Sequence, residues 1–391
     1  MKRADSLSRN SKLNMVFIVV LIFGILGSIA LIISNAADTS TIQSTTSSAI
    51  STPTASFSVV ASGDVGKSGD KTRQQRTADL IKRINPTYVL ALGDLAYESG
   101  TSAEFAANYA PYWGVPEILN ITKPIPGNHE YNTVGATGYF NYFDSTNTGK
   151  FGARDKGYYS FTKDNWLFLN INSECSKIGG CRNDSVQAKW VDQQLADNPD
   201  KCVVASWHRP RVTSGRHTDY LEVNDIWNKI VARKGIVLTG HNHIYSRSVP
   251  LGANAVPDAG GILQFVSGAG GAPFYTDISI DGRDAKRIDD SLGVLKLTLS
   301  GNNVDYKFID VNDNVLDQGT QTLGCPNPAT QTTKTGDLNS DNKVDVLDLS
   351  VLLSGWDPTG SKPKNAADIN NDNKVDVLDL SALLSNWGNL S

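Results

Sequence analysis

Apolar residues in this chain fall in short runs, and several runs end on glycine followed by a polar residue. The clearest is Tyr88–Leu92, closed by Gly93-Asp94-Leu95-Ala96-Tyr97. It reads as a buried parallel-type strand that delivers Asp94 to the C-terminal edge of a sheet, where α/β proteins keep their sites. Residues 57–62, a short stretch before Pro126, two stretches within 158–172 around the turn 163–165, and residues 202–206 and 236–239 read as further strands. Helical apolar spacing marks 72–84, stopped by Pro86, and also 102–109, 185–195 and 220–232. This alternation predicts a layered α/β domain. Residues 262–267, 293–299, 304–309 and 315–320 are expected to close it as antiparallel strands.

The two ends have different patterns. Lys2, Arg3, Arg9 and Lys12 precede nineteen uncharged residues, 15–33. That run is close to the roughly 20 residues that span a bilayer, and the flanking charge puts the N-terminus inside. Ser34-Asn35-Ala36 has the small-residue chemistry of a cleavage site, so 1–36 is expected to be a signal peptide or a membrane anchor. Either way the body is exported. Residues 37–55, rich in Ser and Thr, form a spacer; 56–323 is the folded body; 324–335 is a linker; and 336–391 is a duplicated segment. Asp337 to Asp348 recurs thirty-one residues later as Asp368 to Asp379, each copy followed by leucines and a tryptophan at helical spacing.

At 391 residues more than one folded unit is expected, and a net charge of -4 without basic runs in the body argues against a nucleic-acid partner. Contact with a membrane is then confined to the N-terminal segment. Of four cysteines, Cys175 and Cys181 flank a Gly-containing loop that an oxidising compartment would close, while Cys202 and Cys325 have no evident partner. All five histidines lie between residues 129 and 243, closer together than packing alone would place them.

Asp64, Asp94, Asn128, His208, His241 and His243 each follow an expected strand, so they converge on one sheet edge. They are hard oxygen and nitrogen donors without cysteine, which suits Zn, Mn or Fe. Their number suits two ions clamping a phosphoryl displacement. The blocks Gly63-Asp64-Val65-Gly66, Gly93-Asp94-Leu95-Ala96-Tyr97, Gly127-Asn128-His129-Glu130, His208 and Gly240-His241-Asn242-His243 resemble the calcineurin-like metallophosphoesterase superfamily. Gly66, where most of that superfamily has a histidine, and Tyr97 resemble its purple acid phosphatase branch.

The resemblance covers 55–320 and implies a layered β-sandwich flanked by helices. It also implies a ferric ion held by Asp64, Asp94, Tyr97 and His243, and a second ion (Zn2+, Mn2+ or Fe2+) held by Asp94, Asn128, His208 and His241. A hydroxide held by the metals would attack phosphorus, His129 would bind a phosphoryl oxygen, and His217 would protonate the leaving group. Ala205 stands where the family has valine, a change confined to strand packing.

In the duplicated segment, Asp337, Asn339, Asp341, Asp345 and Asp348, with the Lys343 carbonyl, make a ring of hard oxygens suited to Ca2+. Asp368, Asn370, Asp372, Asp376, Asp379 and the Lys374 carbonyl repeat it. The prolines and threonines before Asp337 leave no room for the entering helix of an EF-hand. Loop plus exiting helix, twice, resembles a type I dockerin, a small all-α module. That resemblance implies a cohesin-like partner contacted at Val346-Leu347 and Val377-Leu378, with docking possible either way round. The expectation is an extracellular phosphatase, secreted or membrane-anchored, acting on phosphate monoesters of small molecules or proteins. A phosphodiesterase or nucleotidase, and a surface-assembly protein with an inert phosphatase domain, are the alternatives.

Overall fold

A computed structural model describes residues 56–275, 279–325, 335–339, 343–361 and 367–388. The expected signal or anchor, the spacer and most of the linker lie outside these residues. Among the described residues no helix is long and apolar enough to cross a membrane.

Two sheets form the body. The first has β1 (Phe57–Ser62), β2 (Tyr88–Leu92) and β3 (Thr122–Ile125) in parallel, extended beyond β1 by antiparallel β11 (Gly293–Ser300), β12 (Asn303–Asp310) and β13 (Val315–Thr322). The second runs β10-β8-β9-β7-β6-β5-β4, from β4 (Tyr159–Lys163), β5 (Trp166–Asn170), β6 (Cys202–Ser206), β7 (Ile236–Thr239), β8 (Tyr245–Ser248), β9 (Gln264–Ser267) and β10 (Asp284–Ile288).

Strand alternation explains the layering. Val59, Ala61, Leu90 and Leu92 turn inward and meet Phe168, Val204, Leu238 and Phe265 of the other sheet. Val60, Val89 and Ala91, one residue out of phase, turn outward under Ala78, Leu80 and Ile81 of α1 (Thr72–Ile84). On the opposite face Leu167, Leu169 and Val203 pack beneath α2 (Val186–Asp197) and α3 (Asn224–Ala232). The expected sandwich flanked by helices is the observed fold.

Several elements differ from expectation. The strand expected at 262–267 to be antiparallel is β9, which lies parallel to β7 and antiparallel only to β8. The helix expected over 102–109 starts in a Thr101/Glu104 capping box and continues as a π-helix over Phe105–Tyr109. The helix expected from 220 begins at Asn224, after a 3-10 turn. The short polar strands β8 and β10 had no apolar periodicity to reveal them, and the helix Thr137–Phe143, whose aromatics at 139, 140, 142 and 143 share one core, was not among the expected elements. Cys175 and Cys181 form the expected disulfide, and Cys202 pairs with Cys325, 123 residues away, tying β6 to the chain just past β13.

The C-terminal repeat contains α4 (Val346–Ser354) and α5 (Val377–Ser385). Each starts in a capping box, Asp345 with Asp348 and Asp376 with Asp379. Its core is Val344, Leu352, Ala367, Val375 and Leu383, with a two-bond bridge between Asp357 and Val375.

Candidate metal centre

The site forms where β1, β2, β3, β6 and β7 end. Asp64, Asp94 and His241 sit just past their strands with φ of 59°, 50° and 73°. Asp and His tolerate this left-handed conformation better than most side chains, and strain of this kind gathers at functional sites. The glycines of the motifs make room. A Cβ at Gly127 would stand 2.2 Å from Asp94 Oδ1, and one at Gly66 would meet the carbonyl oxygens of Leu95 at 2.6 Å and Asn108 at 2.7 Å. A histidine at position 66 has no space on this backbone.

Six of the seven expected ligands fall into two overlapping groups around Asp94. In the first, the Tyr97 hydroxyl lies 2.8 Å from Asp64 Oδ1, 3.4 Å from Asp94 Oδ2 and 3.0 Å from His243 Nε2. In the second, His208 Nε2 is 3.1 Å from Asp94 Oδ2 and 3.2 Å from His241 Nδ1. Donor atoms of Asp94, His208 and His241 all fall within 4.8 Å of one another. Nδ1 of His208 faces the Leu92 carbonyl at 2.8 Å, and Nδ1 of His243 faces that of Pro273 at 2.6 Å. Those carbonyls take the Nδ1 protons and turn both Nε2 lone pairs inward, as second-layer partners of ligating histidines do.

The set fits cations. Asn128 Oδ1 is buried and accepts no hydrogen bond, which costs about 1–3 kcal/mol unless an unseen partner takes it. Burial, and behind it the Asp94 carboxylate, push Asp64 up to about 8 against the pull of His208. Asp94 sits below the usual carboxylate range, because the imidazolium of His208 overrides burial. The same pairing raises His208 to about 9 although burial opposes it. Burial drives His243 down to about 4 and holds the Tyr97 phenol well above its ordinary value. Without a cation, this cluster has to keep protons on groups that would otherwise serve as ligands.

His129 donates its backbone N–H to Asp94 Oδ1 at 2.9 Å, and its Nε2 stands 3.9 Å from Asp94 Oδ2. His217 stacks on His241 with ring centroids 4.1 Å apart. Burial, then the charge of Arg209, keep its imidazole below the ordinary value.

Four supporting residues were not assigned roles from sequence. Buried Glu130 accepts N–H groups of Gly127, Asp94, Leu95 and Ala96 at 2.7, 2.9, 2.8 and 3.3 Å, so one carboxylate fixes two ligand loops. It is the fourth residue of the Gly-Asn-His-Glu block, a signal that was available. Asn242, between two ligands, accepts the His217 N–H at 3.0 Å and donates to Thr213 Oγ1 at 2.6 Å. The Tyr275 hydroxyl lies 3.2 Å from His243 Nε2 and 3.3 Å from His217 Nε2. Arg209 reaches His241. Nothing in sequence pattern pointed to the last two.

In the repeat, Asp348 Oδ1 accepts the N–H groups of Leu338 and Asn339 at 2.7 and 3.2 Å, and Asp379 does the same for Ile369 and Asn370 at 2.7 and 3.1 Å. Each carboxylate thus closes its loop onto its own helix. Asp368 accepts from Asp372 and Asn373, and Asn373 takes φ of 69°, a left-handed turn that asparagine tolerates. Asp337, Asn339, Lys343 and Asp345 are described in the first loop, and Asn370, Lys374 and Asp376 in the second. Asp341 lies outside the described residues.

Residues 57–245 match the calcineurin-like phosphoesterase family, and residues 335–386 match the dockerin type I domain. Among solved structures, purple acid phosphatase PPD1 from yellow lupin (Lupinus luteus) seeds is similar with a TM-score of 0.55 and 19% identity, over 69% of this chain and 54% of that one. The chain therefore spans about half the length of the lupin protein. GAP50, the anchor in the inner membrane complex of Plasmodium, is similar with a TM-score of 0.52 and 13% identity, over 68% of this chain and 89% of that one. No curated protein matches the chain.

Proposed function

Starting from a chain that joins a calcineurin-like phosphoesterase domain at 57–245 to a type I dockerin domain at 335–386, we propose an exported, metal-dependent phosphatase that hydrolyses phosphate monoesters. The observation that carries this reading is the convergence of Tyr97 with Asp64, Asp94 and His243, together with the buried, unbonded Asn128 oxygen past the end of β3.

Asp64, Asp94, Tyr97 and His243 would hold a ferric ion, and Asp94, Asn128, His208 and His241 a divalent one (Zn2+, Mn2+ or Fe2+). When bound, the pair supplies Lewis acidity toward a phosphoryl group and a water. The chain's own residues do the rest. Asp94 serves both positions, and Glu130 keeps its loop in register with that of Asn128. His129, its Nδ1–H donated to the Glu98 carbonyl at 2.6 Å, would donate from Nε2 to a phosphoryl oxygen in its doubly protonated form. His217, in the loop pinned by Asn242, would give a proton to the leaving oxygen.

Docking falls to the repeat, whose loops would hold Ca2+. Val346, Leu347, Val377 and Leu378 are 65, 56, 50 and 58% exposed, an apolar display suited to a cohesin-like partner outside the cell. The body is read as 56–323 and the repeat as 336–391, with the Cys202–Cys325 disulfide tying the first residues of the linker to the body. The dockerin domain leaves a second reading, an assembly role without hydrolysis, against which the gathered donor set speaks.

Paired assays on p-nitrophenyl phosphate and its bis-ester test the proposal. The monoester should turn over faster. Dominant diesterase activity would overturn the monoester assignment, and no turnover of either by metal-loaded chain would favour the assembly role.

A further inference from the structure

Arg209 follows the expected ligand His208 directly, and it is held more tightly than a surface arginine. Its backbone N–H donates to Ser173 Oγ at 2.9 Å. Nε and Nη2 donate to Glu174 Oε1 and Oε2 at 2.6 and 3.3 Å, and the guanidinium lies over the Tyr220 ring at 5.3 Å. Glu174 is only 7% exposed at its side chain and adjoins the Cys175–Cys181 disulfide, so the clamp itself is anchored. One arm remains. Nη1 points at the imidazole wall of the metal centre, 3.3 Å from His241 Nε2, while a quarter of the side chain stays open to solvent.

Guanidinium has only donors, in a planar fork that favours anionic oxygens. An oxygen of a phosphate is a stronger acceptor than an imidazole nitrogen, because both partners of the new bond are charged. Glu174 cancels the charge of Arg209 at a distance, so the arginine acts by contact and not by a long-range field. Fixing the side chain beforehand also removes most of the ordering cost of binding.

We propose that Arg209 is a substrate-binding residue whose Nη1 donates to a non-bridging oxygen of the substrate phosphate, favouring dianionic monoesters over monoanionic diesters. This rests on the phosphoesterase reading and narrows its substrate class.

The test uses the metal-loaded full chain and inorganic phosphate, measured by calorimetry, with metal content and melting midpoint as checks on the centre. Arg209→Gln should weaken phosphate binding by about 10- to 100-fold. It should raise KM for p-nitrophenyl phosphate by a similar factor, and the bis-ester should suffer less. Phosphate affinity within about twofold of wild type, with metal retained, would overturn the contact; equal losses on both esters would overturn the selectivity. If Arg209→Gln sheds metal, Glu174→Gln loosens the fork while keeping the arginine, and an unchanged phosphate affinity in that variant would also overturn the proposal. Wild-type chain that binds phosphate but hydrolyses neither ester would instead count against the phosphoesterase reading, leaving the Arg209 contact to be judged by binding alone.

Discussion

The body and the C-terminal repeat both present oxygen-rich sites, but they assemble them in opposite ways. In the body the donors come from separated strand ends between residues 64 and 243, held by large inter-sheet and outer apolar cores. In the repeat each loop draws its donors from twelve consecutive residues and rests on five buried apolar side chains. Small modules with so little core usually need a staple or a bound metal. The contrast teaches that cations bound in the body would occupy a scaffold that stands already, whereas those bound in the repeat would contribute to folding itself.

The largest effect should come from Asp94→Asn. Asp94 touches both donor groups, so its loss should remove bound metal and lower turnover by more than about a hundredfold, the scale of losing one transition-state donor. Melting of the body should change little, since its cores are untouched. Activity close to wild type would show that this edge is not the centre. Calcium removal should do the converse: helical signal from 336–391 is lost while hydrolysis continues. A repeat equally folded with and without calcium would erase the distinction drawn here.

Next in size is the long disulfide. Cys202 and Cys325 close a loop with 123-residue separation, so replacing both by Ser should cost the body about 2–5 kcal/mol in denaturant unfolding and leave the calcium midpoint of the repeat unchanged. A loss below about 1 kcal/mol would mean that the strands hold the end of the body without it.

Protons should separate the two sites as well. In the cation-free body Asp64, at about 8, and His208, at about 9, keep protons at pH 7 that incoming cations must displace. Metal affinity should therefore rise with pH between about 7 and 9, by up to about tenfold per pH unit for each proton released. In the repeat, burial raises Asp348, but the N–H groups of Asp345, Leu338 and Asn339 outweigh it and hold the carboxyl below its usual range. It has no proton to give up near neutrality, so calcium affinity should be flat from about pH 6 to 9. Calorimetry in buffers of different ionisation enthalpy reads both. Proton release on calcium binding, or none on metal binding, would contradict the assignment.

This difference in construction also governs what could be read from sequence. Asp64, Asp94, Asn128 and His241 were legible because each follows a glycine at the end of an apolar run. The calcium loops were legible because the whole site is contiguous. The partner of Cys202 was not, since it depends on how β13 ends relative to β6. β8 was hidden because Arg247 serves the half-buried Asp317, at 2.8 Å, and breaks the apolar pattern a strand would show. Arg209 and Glu174 meet only because β5 and β6 lie side by side in parallel.

Helix caps give the smallest and sharpest comparison. Ser185 caps α2 by accepting the Ala188 N–H at 3.1 Å, and Asp376 caps α5 by accepting the Leu378 N–H at 2.8 Å. As caps alone the two are equivalent, and Ser185→Ala should cost about 1 kcal/mol whether or not calcium is present. Asp376→Ala should cost a similar amount in the absence of calcium. With calcium it should cost more, because Asp376 stands at position nine of its loop and a cap and a ligand would be lost together. The quantity to measure is therefore the calcium dependence of each penalty, from unfolding curves at several calcium concentrations. Two penalties that both ignore calcium would reduce Asp376 to a cap and remove it from the ring of oxygens.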